Sequence, residues 1–109
     1  MTSPDGFRLL PLASQDISEI WQYIDESNPA AALAFVAGIL ETINTLIPFP
    51  HLGHRRTDLT SRPLRFMLFR NYLIAYAPNE KPLLVVAVIH GRQNPRVIAA
   101  MLRNREDFA

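Results

Sequence analysis

Leu64-Arg65-Phe66-Met67-Leu68-Phe69-Arg70-Asn71-Tyr72-Leu73-Ile74-Ala75-Tyr76-Ala77-Pro78 leads through Asn79-Glu80-Lys81-Pro82 into Leu83-Leu84-Val85-Val86-Ala87-Val88-Ile89-His90-Gly91-Arg92. Reading this stretch decides the fold. β-Branched and aromatic residues bounded by turn residues mark three successive strands, at about 64–70, 72–77 and 83–90. The last is apolar from Leu83 to Ile89, the composition of a central strand buried on both faces. It ends abruptly in His90-Gly91-Arg92, followed by Asn94-Pro95-Arg96. A sheet built this way brings His90, Arg92 and Arg96 to one rim, with Arg65 and Arg70 on a neighbouring strand. Such a concentration of cations suits an anionic or acidic partner.

Working back from the strands, Pro48-Phe49-Pro50-His51-Leu52-Gly53 reads as a connecting loop and 54–62 as polar and irregular. Asn28-Pro29 has the form of a helix cap followed by proline at the first helical position, so a helix is expected from about 29 to 47. One of its faces carries Leu33, Val36, Ala37, Leu40, Ile43 and Ile47, and a second carries Phe35, Ile39 and Leu46. The first face is expected to pack on the sheet, with Leu40→Ala costing about 2–5 kcal/mol. The second would then remain as an apolar groove for a partner's amphipathic helix. An earlier helix carries Ile17, Ile20, Trp21 and Ile24 at i, i+3, i+4, i+7, with Ser14 as its expected cap and Asp16 and Glu19 near its positive end. Phe7 to Leu12 is a short strand candidate. Asn94-Pro95 repeats the cap-plus-proline signature ahead of Val97, Ile98, Met101 and Leu102, a short C-terminal helix. The order β-α-α-β-β-β-α predicts an α+β domain, with a helical hairpin on one face of a small, mainly antiparallel sheet.

The 109 residues imply one domain, and 49% hydrophobic with 19% charged content excludes a disordered chain. No uninterrupted apolar run reaches membrane-spanning length, and Met1-Thr2-Ser3-Pro4-Asp5-Gly6 has neither the basic start nor the apolar stretch of a secretory signal. A cytoplasmic protein is expected. With no cysteine, disulfides and thiolate metal sites are ruled out. The net charge of +1 conceals an asymmetry. Residues 1–50 hold Arg8 against six carboxylates, whereas 51–96 hold eight cations against Asp58 and Glu80. All the cations but Lys81 are arginine, the side chain suited to forked hydrogen bonds with carboxylate or phosphate.

Several chemistries find little support. His51 and His54 share a loop with only Asp58 as a nearby third ligand, so no metal or other cofactor is expected. The glycines form neither a phosphate loop nor a nucleophile elbow. The one enzymatic reading with a full cast is a metal-free ribonuclease. It would use His90 as acid or base and Arg65, Arg70 and Arg92 to stabilise phosphorane charge. Tyr72 and Tyr76 would assist, although both read first as sheet-packing residues and Trp21 as core.

Read together, several short pieces resemble the ParE branch of the RelE/ParE toxin superfamily. They are Ala13-x-x-Asp16-x-x-x-Ile20-Trp21-x-Tyr23-Ile24, Asn28-Pro29-x-Ala31-Ala32, Pro48-x-Pro50-x-Leu52-Gly53, Leu64-Arg65, Tyr72-Leu73-Ile74-x-Tyr76 and Val88-Ile89-His90-Gly91-Arg92-Gln93-Asn94-Pro95. The resemblance implies the toxin of a type II toxin–antitoxin module, of the kind associated with plasmid stabilisation, neutralised by a small cognate antitoxin such as a ParD-like protein. ParE-like members are associated with poisoning DNA gyrase, and RelE-like members with cutting messenger RNA on the ribosome. Gly91 stands where some of the nucleases have an aromatic residue, and a charge of +1 is low for binding ribosomal RNA. Both departures favour the gyrase-directed branch, with no catalytic residue, no membrane partner and no sequence-specific nucleic-acid contact. Arg65, Arg70, His90, Arg92, Arg96 and the Phe35, Ile39 and Leu46 ridge are the expected partner contacts. The alternatives are a ribosome-dependent metal-free endoribonuclease using His90, Arg65 and Arg92, and an inactive protein-interaction module.

Overall fold

The computed structural model describes residues 6–105. The elements are β1 (Phe7–Leu9), α1 (Pro11–Asp25), α2 (Pro29–Leu46), β2 (Arg65–Phe69), β3 (Tyr72–Ala77), β4 (Leu83–His90) and α3 (Pro95–Arg103). The four strands form one sheet in the order β1-β4-β3-β2. The β2–β3 and β3–β4 pairs are antiparallel, whereas β1 runs parallel to β4. β4 is therefore central, and its Leu83–Ile89 run is buried throughout, as its unbroken apolar composition requires. The hairpin packs on the sheet with α1 along β4 and α2 along β2.

The two Asn-Pro signals work as caps. The Asn28 side chain accepts from the Ala31 N–H at 3.0 Å, and that of Asn94 from the Arg96 N–H at 2.8 Å. In each case proline follows at a position where its missing N–H costs nothing. Pro11 acts in the same way, so α1 begins earlier than Ser14. Leu10 is the cap residue, and its carbonyl accepts from the Ser14 N–H at 2.9 Å. β1 is correspondingly short.

α2 corrects the sequence reading. Its inward stripe is Ala32, Phe35, Ile39, Ile43 and Leu46, at i, i+3, i+7, i+11 and i+14, all buried. Phe35, Ile39 and Leu46 therefore form core, and no partner groove lies along them. The Phe35 ring stands edge-on to Tyr72 at 5.2 Å and tilted to Phe69 at 6.2 Å between centroids. Gly38 opens the slot that Phe69 fills, since a methyl group at position 38 would overlap that ring. Of the face expected inward, Leu33 and Leu40 point outward, 68% and 36% exposed, whereas Ile43 is buried and Val36 and Ile47 are partly buried. Both faces are apolar, so spacing alone favoured the wrong one. The close approach of β2 at Gly38 settles it. By length and mean hydropathy of 1.4 α2 is apolar enough to cross a bilayer, yet its buried stripe makes it the helix that covers the sheet.

β1 pairs with β4 only as far as Val85, and a bulge between Ala75 and Tyr76 shifts the phase of β4 beyond it. Past that point two side chains take the place of a neighbouring strand. Asp16 Oδ2 accepts from the Val88 N–H at 3.0 Å, and Arg105 Nη1 donates to the Val86 carbonyl at 2.8 Å. The same two side chains form a two-pronged ion pair, at 2.8 and 2.9 Å, with their side chains 12% and 7% exposed. Asp16 thus serves the edge of the sheet, beyond its position near the start of α1.

Candidate functional site

The loop between α2 and β2 is pinned to the sheet before it contributes to any surface. The buried Tyr76 hydroxyl donates to the Pro50 carbonyl at 2.7 Å and accepts from the Gly53 N–H at 2.9 Å. Burial pushes the Tyr76 hydroxyl above its ordinary pKa, against the opposing pull of the Gly53 N–H and the Arg65 charge. Arg65 donates to the carbonyls of Gly53 at 2.8 Å and His51 at 3.3 Å. His54 then pairs with Phe66 through two backbone hydrogen bonds of 2.9 and 2.7 Å. At Gly53 a side chain would meet both the Tyr76 hydroxyl and the Phe66 carbonyl, so the close approach needs glycine.

Pinned in this way, the loop places His54 and Arg56 beside a hollow of about 350 Å³, lined also by Phe66, Leu68, Arg70, Leu73 and Arg92. Leu68 and Leu73 are directly paired across β2 and β3. Side chains alternate along a strand, and Phe69 and Tyr72 meet Phe35 on the hairpin side, so this hollow opens on the opposite face. Arg56 is held by Asp58 at 2.8 and 2.9 Å, which keeps the Asp58 carboxyl below its usual range. Among the described residues, Arg70 and Arg92 have no carboxylate partner. Arg70 sits at the tight turn between β2 and β3 with φ of 54° and lies over the Phe69 ring at 5.1 Å.

His90 lies elsewhere. It lines a second hollow of about 600 Å³ together with Asp16, Glu19, Tyr23, Tyr72, Gln93 and Met101. Its ring stands edge-on to Tyr72 at 5.1 Å, and its Nδ1 accepts from the Arg92 N–H at 3.1 Å, which leaves Nε2 to carry the proton of the neutral ring. The expected cluster is thus brought together only in part. Arg70 and Arg92 share one hollow. His90 faces another, Arg65 serves the loop, and Arg96 is exposed at the first turn of α3. His51 lines a different hollow from His54. His54, Arg56, Leu68 and Leu73 were missed as site residues, because the route of the loop carries no periodic signal.

The α+β domain thus carries a basic, apolar-floored hollow with His54 at its rim on one face, and His90 beside Tyr72 in a second hollow. The chain belongs to the ParE toxin family of type II toxin–antitoxin systems, whose family profile (ParE toxin of type II toxin-antitoxin system, parDE) matches residues 7–95. Its fold is similar to that of a solved chain from a chromosomal ParDE toxin–antitoxin system of P. aeruginosa. The TM-score is 0.66 at 18% identity, over 81% of this chain and 98% of that one. No curated protein sequence matches the chain significantly.

Proposed function

We propose that this toxin acts in the cytoplasm by binding and poisoning DNA gyrase, without catalysis of its own. It is neutralised by a small ParD-like antitoxin whose acidic, disordered segment folds on binding. What supports this reading is the family match together with the separation of His90, the acid or base of the nuclease reading, from Arg70 and Arg92. A metal-free nuclease needs its acid or base and its charge-stabilising cations around one phosphate. Here Arg70 and Arg92 line one hollow with the exposed loop residue His54, whereas His90 lines another beside Glu19, and the Arg65 guanidinium is occupied by loop carbonyls. A cationic surface of that kind suits steering and holding an acidic protein segment. Arg70, Arg92 and Arg96 carry the polar contacts in this reading. Arg65 acts through the loop it holds.

The test is inhibition of supercoiling by purified gyrase. Arg92→Ala and Arg96→Ala should weaken inhibition progressively and more so at low salt, with the fold intact by circular dichroism. Inhibition indifferent to both changes would remove these arginines from the target contact.

A further inference from the structure

The groove over β2 and β3 has more chemistry than a general attraction for anions. We propose that it takes an acidic peptide segment carrying one large apolar side chain between carboxylates. The apolar side chain rests on Leu68 and Leu73, and the flanking carboxylates meet Arg70 and Arg92. This rests on the reading of the toxin as a protein-binding module, and it names the kind of segment bound.

Three observations support it. The first is the floor. Leu68 is 61% exposed, directly opposite Leu73, on the sheet face that the hairpin leaves uncovered. A volume of about 350 Å³ is at the small end of binding hollows and suits one bulky side chain with its neighbours. The second is charge. Asp58 already engages Arg56, so Arg70 and Arg92 are the described guanidinium groups of the rim open to new carboxylates. The third is Arg70 itself. At φ of 54° it holds a conformation that glycine or asparagine adopts with less strain, in a two-residue turn where glycine would serve the backbone better. Strain of this kind is explained when the side chain has a task. The Phe69 ring beneath the guanidinium holds it in place. A nucleic acid fits less well. Phe66 in the lining is buried, so the floor itself is aliphatic and offers bases no stacking surface beyond the exposed His54 at its rim.

The experiment titrates the whole chain with nine-residue acetylated peptides of Asp and Glu bearing a central Phe, Leu or Ala. It is read by calorimetry and by backbone amide shifts. The Phe and Leu peptides should bind about tenfold or more tighter than the Ala peptide and shift the amides of 66–73 and 91–92. Leu68→Ser and Arg70→Gly should each cost a similar factor. Arg70→Gly should melt no lower than the parent chain, because glycine relieves the turn, which separates a binding role from a structural one. Equal binding of the Phe and Ala peptides, shifts confined to other residues, or an equally charged single-stranded RNA binding as tightly at the same amides would each overturn the proposal. Supercoiling inhibition that persists without peptide binding would defeat this inference alone. Peptide binding in a chain that leaves gyrase untouched would defeat the gyrase reading alone.

Discussion

Two hollows flank the end of the sheet where β3 meets β4, and they are unlike. The one on the uncovered face has an aliphatic floor and a rim of arginines. The one beside α1 is larger, holds His90 and Tyr72, and is bounded by Asp16, Glu19 and Met101. β4 ends at His90 and the chain turns at Gly91, so His90 and Arg92, which would share a face of a continuous strand, line different hollows. Proximity along a chain is therefore poor evidence for a shared site at a sheet rim. The first hollow joins an apolar floor to arginines that have no carboxylate partner among the described residues. The second is built largely to finish the edge of β4.

The largest effect should come from the second hollow. Asp16→Asn or Arg105→Met removes one half of a buried ion pair that also satisfies the Val86 carbonyl and the Val88 N–H. Loss of about 3–5 kcal/mol by urea unfolding is expected. A cost near zero would mean that water replaces the pair, and the hollow would then be a free surface after all. Next comes the inward face of α2, which covers the sheet. Ile39→Ala should cost about 2–5 kcal/mol. Leu40→Ala should cost well under that, because Leu40 is 36% exposed.

The basic hollow depends on the pinned loop. Tyr76→Phe leaves the Gly53 N–H and the Pro50 carbonyl without their partner and should cost about 1–3 kcal/mol. The same hydroxyl predicts an alkaline limit. Its pKa is raised on folding, so its contribution is complete below the unfolded value of about 10 and is lost as pH rises through the folded value. Unfolding monitored from pH 8 to 11 should show stability falling only above about pH 10. In Tyr76→Phe that fall should be smaller. The smallest effect on stability belongs to the exposed rim. Arg92→Ala should change unfolding by no more than about 0.5 kcal/mol while weakening partner binding.

Much of this was written in the sequence. The three long strands, the buried β4 and both Asn-Pro caps follow from composition and turn chemistry that act locally. The inward face of α2 did not follow, because Leu33 and Leu40 are as apolar as Phe35 and Ile39, and only the packing of Phe69 against Gly38 chooses between them. The parallel pairing of β1 rests on contacts with Leu83 to Val85 that no local pattern encodes. Asp16 and Arg105 are likewise far apart in sequence. One clue was available. Asp16 lies on the same stripe as Ala13, Ile17 and Ile20, and a carboxylate on an inward stripe requires a buried partner. For the site, the arginines were legible as a charge cluster. Which of them share a hollow depended on where β4 ends and on a loop held by Tyr76.

The central claim is that the toxin binds a protein target and leaves RNA intact. The direct measurement sets purified gyrase beside translating ribosomes, with the parent chain and His90→Gln in each. On that claim, inhibited supercoiling, intact messenger RNA and little difference between the two chains are expected. Ribosome-dependent cleavage of messenger RNA that drops about 10²-fold or more in His90→Gln, the scale of losing a general acid or base, would contradict it and make His90 a catalytic residue.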